Sequence, residues 1–155
     1  KNIFKKMCYS FSINNKENCM VRDIVKDTFI LSRISVLANK DDLSIAQDLI
    51  DTLEAHKESC AGMAANMIGF HKRIIAFQDE GKIVVMLNPE IIKKSQIYSA
   101  KEGCLSLSGQ RETKRYRSIK VRYLDMQMKI KIKTFKDFTA QVIQHEIDHC
   151  DGILI

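Results

Sequence analysis

The chain has 155 residues, of which 45% are apolar and 28% charged, with one proline and six glycines. This composition is typical of one globular domain and excludes a chain that is disordered throughout. The longest apolar stretches run only a few residues, far below the roughly 20 that cross a bilayer, so we expect no membrane span. The five cysteines are odd in number and irregularly spaced, which favours a reducing, cytoplasmic location.

The net charge of +6 is unevenly distributed along the chain. Residues 1–19 contain four lysines and one glutamate, so this segment holds half of the excess. We interpret 1–19 as a basic N-terminal extension that need not be ordered, and 20–155 as a single domain. Elsewhere, lysines alternate with apolar residues along 128–133, as on the wet face of a strand. The charge therefore indicates solvation, and we infer no direct nucleic-acid site.

An amphipathic helix is predicted early in the domain. Apolar residues recur every three or four positions from Leu43 onward, directly after Asp41 and Asp42. Aspartate at this place can accept hydrogen bonds from the free N–H groups of a first helical turn. The pattern predicts a helix over 42–57.

Four strands are predicted in the middle and later parts of the chain. These runs are rich in β-branched residues and cover 73–77, 83–87, 118–123 and 127–134. The first two would form a hairpin whose second strand ends at Asn88 and Pro89. The last two would be joined by a turn at or near Asp125.

A second principal helix is predicted near the end of the sequence. Between Phe138 and Cys150 the apolar positions share one helical face, Asp137 can cap the first turn, and Gly152 stops the helix. Together the elements predict an α+β fold, with short, mainly antiparallel strands and two principal helices.

His145, Glu146 and His149 form a His-Glu-x-x-His motif inside this last helix. Histidines four positions apart lie on one helical face, so both imidazoles can reach one ion, while the glutamate can reach a bound water. A solvated polar face would be the simpler explanation. The neighbouring apolar residues Val142 and Ile147 argue against it, because unpartnered polar groups among buried neighbours are costly.

A catalytic metal of this kind needs a third protein ligand and an open fourth position. His56 and His71 are the other histidines, and Cys104 lies in the polar-bounded segment Glu-Gly-Cys-Leu-Ser at 102–106. A thiolate is a strong ligand for Zn²⁺ or Fe²⁺, which makes Cys104 the more attractive candidate. A lone cysteine is equally well explained as a small buried apolar residue.

A run of small residues between Cys60 and Gly69 is the third notable segment. It would let a substrate or a neighbouring helix approach closely, and the backbone N–H of Gly62 could face a carbonyl oxygen. Tight helix packing or a plain loop would explain the run equally well.

Taken together, the three segments resemble the peptide deformylase family. That family has, in this order, the motifs Gly-x-Gly-x-Ala-Ala-x-Gln, Glu-Gly-Cys-Leu-Ser and His-Glu-x-x-His. The second stands unaltered at 102–106 and the third at 145–149, and the resemblance covers about 20–155. It implies a single catalytic domain of α+β fold, with the strands around a central metal-binding helix and a further helix near the N-terminus.

The resemblance also implies an activity, the removal of the N-formyl group from the initiator methionine of new polypeptides. The implied metal ligands are Cys104, His145 and His149. The implied catalytic groups are Glu146 as general base and the backbone N–H groups of Leu105 and Gly62 for the oxyanion. The ion would be Fe²⁺ natively, with Zn²⁺ or Ni²⁺ also able to bind.

The substrate would be a formylmethionyl peptide or a nascent chain, which makes the ribosome a candidate partner. The positions that the resemblance assigns to substrate binding are Ala61, Gly103, Arg111, Phe138 and Val142. Each is also explained as ordinary core or surface. An ion pair between Glu102 and Arg115 is expected to support the site.

The first motif departs from the family pattern at Cys60 and Met67, which stand in place of Gly and Gln. A thioether cannot donate the hydrogen bond of the Gln amide, and the adjacent Asn66 would point about 100° away on a helix. Reduced activity, or a related protein that only binds N-terminal peptides, is therefore an alternative.

Two other kinds of protein share parts of this pattern. A metalloprotease would need a further ligand downstream of His149, where only six residues follow. A structural zinc domain would normally use four protein ligands and would have no use for Glu146.

Overall fold

The computed structural model describes residues 20–155, so the predicted extension over 1–19 lies outside the described residues. The fold is α+β, as predicted, with a single five-stranded antiparallel sheet whose strands neighbour one another in chain order. The strands are β1 (Gly62–Ala64), β2 (Ile74–Asp79), β3 (Lys82–Gly103), β4 (Gln110–Leu124) and β5 (Ile130–Lys136). The α-helices are α1 (Thr28–Leu31), α2 (Leu43–Ala55) and α3 (Asp137–Cys150).

Strand β2 is covered on both faces, which explains its unbroken apolar sequence. Ile74 belongs to a core cluster that also contains Leu49 and Leu53 of α2. Ile75 and Phe77 belong to a second cluster, with α3 residues that include Val142, Ile143 and Ile147. The sheet therefore holds α2 and α3 on opposite faces, and α3 is fixed by its apolar stripe.

The sequence suggested that the strand over 83–87 ends at Asn88 and Pro89, but in the structure it continues. Strand β3 continues to Gly103 and pairs with β4, which begins at Gln110. The register shifts between Leu87 and Glu90, and Asn88 has a positive φ of 52°. Such a bulge accommodates a proline, which cannot donate to the strand ladder.

The predicted helix caps are only partly right. Asp42 occupies the N-cap position of α2 but makes no side-chain capping hydrogen bond there. The side chain of Asn39 accepts from the Asp41 N–H at the start of a 3₁₀ turn over Lys40–Asp42 that precedes α2. No side chain caps α3, and Asp137 is exposed with its Oδ1 3.9 Å from Arg117. Gly152 does follow α3 with a φ of 73°, as expected of a helix stop.

The predicted turn at Asp125 joins β4 to β5, and its Oδ1 accepts from the N–H groups of Gln127 and Lys129. Among residues 20–155, none of the helices has the length and apolarity needed to cross a membrane.

Candidate metal centre and active site

Three side chains that can bind a metal ion converge beside the C-terminal half of α3. The Nε2 atoms of His145 and His149 are 3.1 Å apart, and Cys104 Sγ lies 3.3 Å from His149 Nε2. Zinc–nitrogen bonds of about 2.0–2.1 Å and zinc–sulfur bonds of about 2.3 Å would put tetrahedral ligand atoms roughly 3.3–3.6 Å apart. The set thus fits one divalent ion with only small adjustments.

The other two histidines lie elsewhere. His56 Nδ1 is 2.8 Å from the carbonyl oxygen of Thr52, and His71 Nε2 is 2.9 Å from that of Ile30. Within the described part of the chain, the cluster of Cys104, His145 and His149 is the one group of three side chains whose ligand atoms meet. Of the candidates left open by the sequence, the structure brings Cys104 to the histidine pair.

Glu102 orients the first histidine. Its Oε1 lies 3.2 Å from His145 Nδ1 and accepts a hydrogen bond from it, which leaves Nε2 to face His149 Nε2. Burial lowers the pKa of His145, but hydrogen bonds with Cys104 and Glu102 raise it to about 10, so a bound ion would displace the proton from Nε2. Burial would raise the pKa of Glu102, but hydrogen bonds from His145 and Arg115 lower it to about 2. Burial also lowers the pKa of His149 to about 3, which keeps that ring neutral as a metal ligand requires.

The expected ion pair between Glu102 and Arg115 is present and buried. Arg115 Nη2 lies 2.6 Å from Glu102 Oε1, and its Nη1 lies 2.6 Å from Asp148 Oδ2. Asp148 was not expected to take part, although it follows His145 by three positions on the same helix. Arg115 thus ties the strand that carries Glu102 to the metal-binding helix.

Glu146 is 3% exposed and lies next to the histidines. Its Oε2 is buried and has no hydrogen-bond partner among residues 20–155. Burial is the main cause that raises the pKa of Glu146 to about 7, well above its ordinary value. A carboxyl group with this pKa and a free oxygen can exchange a proton near neutral pH.

A cavity of about 530 Å³ opens onto this cluster. Most of the residues predicted to contact substrate or the oxyanion line it, namely Ala61, Gly62, Gly103, Leu105, Phe138 and Val142. Phe138 is 66% exposed and stands at the rim. Arg111 is not part of the lining; its Nη1 donates to the Ser108 carbonyl at 3.4 Å, and its part in substrate binding stays a prediction.

Gln141 also lines the cavity and was missed by the sequence analysis. It precedes His145 by four positions, so helical periodicity alone would have placed both side chains on one face.

Comparison with known proteins places this chain in a family. Residues 25–155 match the sequence model of the family described as Polypeptide deformylase. The chain is 52% identical over 136 residues to the peptide deformylase of Clostridium beijerinckii, an alignment that covers 88% of this chain and all of that one. It is 40% identical over 120 residues to peptide deformylase 1 of Rickettsia conorii, covering 70% and 67% of the two chains. The chain belongs to the polypeptide deformylase family.

Solved structures of deformylases share the fold. The Met-Ala-Ser-bound class I type b peptide deformylase of Acinetobacter baumannii superposes with a TM-score of 0.79 at 29% identity, over 88% of this chain and 97% of that one. The deformylase of Thermotoga maritima gives a TM-score of 0.76 at 28% identity, over 87% and 94%.

Both departures from the deformylase motif line the cavity. Cys60 Sγ lies 2.9 Å from the Gly62 carbonyl oxygen, and burial is the main cause that raises the pKa of this thiol to about 12. Met67 is 1% exposed, and its sulfur accepts from the Ala64 N–H at 3.5 Å. Asn66 Nδ2 donates to the carbonyl of His149 at 2.9 Å, so this amide does not replace the family's Gln.

Gly62 packs directly against Glu146, and we expect Gly62→Ala to misplace that carboxylate. A Cβ at this position would lie 2.7 Å from Val142 Cγ1 and 2.9 Å from Glu146 Oε1. Moving a reacting group by about 1 Å can cost 10²-fold, so kcat should fall by about 10- to 100-fold in a hydrolysis assay. Overpacking should also lower the free energy of unfolding by about 1–3 kcal/mol.

Gly103→Ala is the matched control for stability, because its Cβ would meet only the Gly109 carbonyl oxygen, at 3.8 Å. A Gly62→Ala protein with unchanged kcat and unchanged thermal unfolding would show that the contact with Glu146 is not needed.

Proposed function

We propose that this protein hydrolyses the formyl amide at the N-terminus of formylmethionyl peptides and nascent chains, releasing formate and a free amine. The observation that carries the proposal is the meeting of Cys104, His145 and His149 beside the unpartnered Oε2 of Glu146, inside an open cavity. The chain that carries this arrangement belongs to the deformylase family.

A divalent ion bound by Cys104, His145 and His149 would supply Lewis-acid activation of water and of the formyl carbonyl group. The family resemblance favours Fe²⁺ in the cell, although Zn²⁺ and Ni²⁺ suit the same ligands. The N–H of Ser106 donates to Cys104 Sγ at 3.4 Å and so helps to fix the position of this sulfur beside the histidines.

Glu146 is the group that moves the proton. It takes a proton from the attacking water and returns it to the leaving nitrogen, because a free amine is a far better leaving group than an amide anion. Its raised pKa suits both steps near neutral pH.

Leu105 is placed to stabilise the negative charge that develops on the formyl oxygen. It lines the cavity, and within residues 20–155 its backbone N–H donates to no protein acceptor. A free N–H in this position can bind an oxyanion, with Gly62, which lines the same cavity, as a second donor. Ala61, Gly103, Phe138 and Val142 then surround the first side chain of the peptide, and Arg111 lies farther along the same peptide.

The test is a formate-release assay. Protein purified without oxygen and loaded with Fe²⁺ or Ni²⁺ should release formate from formyl-Met peptides and leave acetyl-Met peptides almost untouched. Metal content is measured on the same sample, and a chelator-treated sample is the control. No formate above background from fully loaded protein would contradict the proposal and favour the alternative, a deformylase-like protein that binds N-terminal peptides with little or no turnover.

Met67 is the observation that favours the alternative, and its replacement is informative. In Met67→Gln the amide oxygen could accept from the Ala64 N–H as the sulfur does now, leaving the NH₂ as a donor in the cavity. One such donor is worth on the order of 10²-fold, so kcat should rise about tenfold or more. The control is Met67→Leu, which adds no donor, and its kcat should not rise above that of the wild type. An unchanged rate in Met67→Gln would mean that another group already stabilises the reacting oxygens.

The cellular setting follows from the substrate. Formylmethionyl chains emerge from ribosomes, so the proposed substrate implies that the protein acts in the cytoplasm, beside the ribosome.

A further inference from the structure

Gln141 is an amide side chain in the wall that would surround the first side chain of the substrate. It lines the cavity together with Phe138 and Val142 of the same helix. It lies one helical turn before His145, so both side chains project from one face of α3. An amide in this wall faces whatever side chain enters beside the metal centre.

Tyr98 of β3 fixes the orientation of this amide. The Tyr98 hydroxyl donates to Gln141 Oε1 at 2.9 Å, and the Arg117 guanidinium carbon lies 4.6 Å from the centre of the tyrosine ring. Burial, followed by the nearby Glu102 carboxylate, raises the pKa of Tyr98, so the phenol stays protonated and remains the donor.

The NH₂ end of Gln141 is consequently left without a protein partner in a residue that lines the cavity. Among residues 20–155, nothing accepts a hydrogen bond from Gln141 Nε2, whereas Oε1 is already occupied. When a purely hydrocarbon side chain fills the cavity, this NH₂ loses water and gains no acceptor, which costs free energy. A side chain that carries an acceptor avoids that cost.

We propose that Gln141, oriented by Tyr98, makes this cavity selective for a first side chain that carries a hydrogen-bond acceptor over one that is purely hydrocarbon. Methionine sulfoxide, whose oxygen is a strong acceptor, is then a preferred first residue, methionine is intermediate, and norleucine is disfavoured. This inference rests on the proposed function, because it assumes that the first side chain of the peptide enters this cavity.

The test compares two formyl tripeptides that differ only in the first side chain, methionine sulfoxide or norleucine. The quantity measured is the ratio of their kcat/KM values with metal-loaded protein. One hydrogen bond changes such a ratio by about 3- to 10-fold, so Gln141→Leu should lower it by that factor. Gln47→Leu, the same change on the exposed face of α2, should keep the wild-type ratio.

Tyr98→Phe separates positioning from folding. It keeps the aromatic ring beside Arg117 but removes the hydroxyl, so the amide of Gln141 is free to rotate and exchange the positions of its oxygen and its NH₂ group. The ratio should fall part of the way towards that of Gln141→Leu, a change that a loss of stability alone would not produce. Thermal unfolding of each variant is recorded alongside.

Lys101 also lines the cavity and offers a competing donor. A ratio that stays within twofold of wild type in Gln141→Leu, or that falls in Lys101→Met instead, would overturn the assignment to Gln141.

Failure of the proposed function would be visible separately. If metal-loaded wild-type protein releases no formate from any formyl peptide, the affinities of the unformylated tripeptides are compared by calorimetry. The methionine sulfoxide peptide should then bind about 3- to 10-fold more tightly than the norleucine peptide, with the difference lost in Gln141→Leu. Equal affinities would contradict the inference whatever the turnover.

Discussion

Glu146→Gln should abolish hydrolysis while the protein keeps its metal ion. The substitution preserves the shape of a side chain that is 3% exposed, so the surrounding packing should survive. It removes the group that takes and returns the proton, and general acid–base groups of this kind contribute about 10²- to 10⁴-fold. We expect kcat on a formyl-Met peptide to fall by that factor, with metal content equal to wild type.

Glu90→Gln is the matched control, because Glu90 pairs with Arg122 on the surface, with 58% of its side chain exposed. This change should have little effect on kcat or on metal content. If Glu146→Gln hydrolysed the peptide at the wild-type rate, Glu146 could not be the base. If it lost its metal, the residue would instead belong to the metal centre.

Replacing Cys104 should remove the metal and the activity together. In Cys104→Ala, two imidazoles remain of the three ligands that meet in the structure. Losing a partner outside the ligand set typically weakens metal affinity by 10- to 100-fold, and losing a ligand itself should exceed that range. We expect metal-depleted protein after dialysis, no measurable formate release, and a lower melting temperature because bound metal stabilises the native state.

Cys60→Ser is the matched control for metal content, because it changes another cysteine of the same cavity. Cys60 lines that cavity but lies outside the group of ligand atoms, so its replacement should leave the metal content at the wild-type level. Metal retention in Cys104→Ala equal to that in Cys60→Ser would show that the thiolate is not a ligand.

Helices α2 and α3 and strand β2 could be predicted because each has a regular apolar pattern, whereas α1 and β1, of four and three residues, are too short to show one. Strand β2 is buried on both faces, and α3 buries a stripe that includes Val142, Ile143 and Ile147. Helix α2 runs over Leu43–Ala55, close to the predicted span, for the same reason.

The pairing of β3 with β4 beyond Pro89 could not be predicted from hydrophobicity. Residues 92–97 of β3 are exposed, so no apolar alternation marks them as a strand. The bulge at Asn88 also placed a turn-like signal in the middle of the element. The backbone of these residues pairs with β4 although their side chains are exposed, and a hydrophobic pattern cannot predict such pairing.

The candidate site was predictable in part. The spacing of His145 and His149 was sufficient to predict a shared ion, because helix geometry brings them together. Cys104 lies 45 positions from His149, and no local pattern reports such a contact. The chemistry of a thiolate made Cys104 the more attractive third ligand, and the family resemblance assigned it that role. Gln141 and Asp148 were missed although both lie on the metal-binding helix, because Gln141 lies outside the motif and Asp148 fills one of its unspecified positions.

The most direct measurement is an X-ray absorption or anomalous-diffraction study of the zinc-loaded protein. We expect one ion per chain, with one sulfur at about 2.3 Å and two nitrogens at about 2.0–2.1 Å, and a fourth position open to solvent. An ion without a sulfur ligand, or one bound away from His145 and His149, would contradict this expectation.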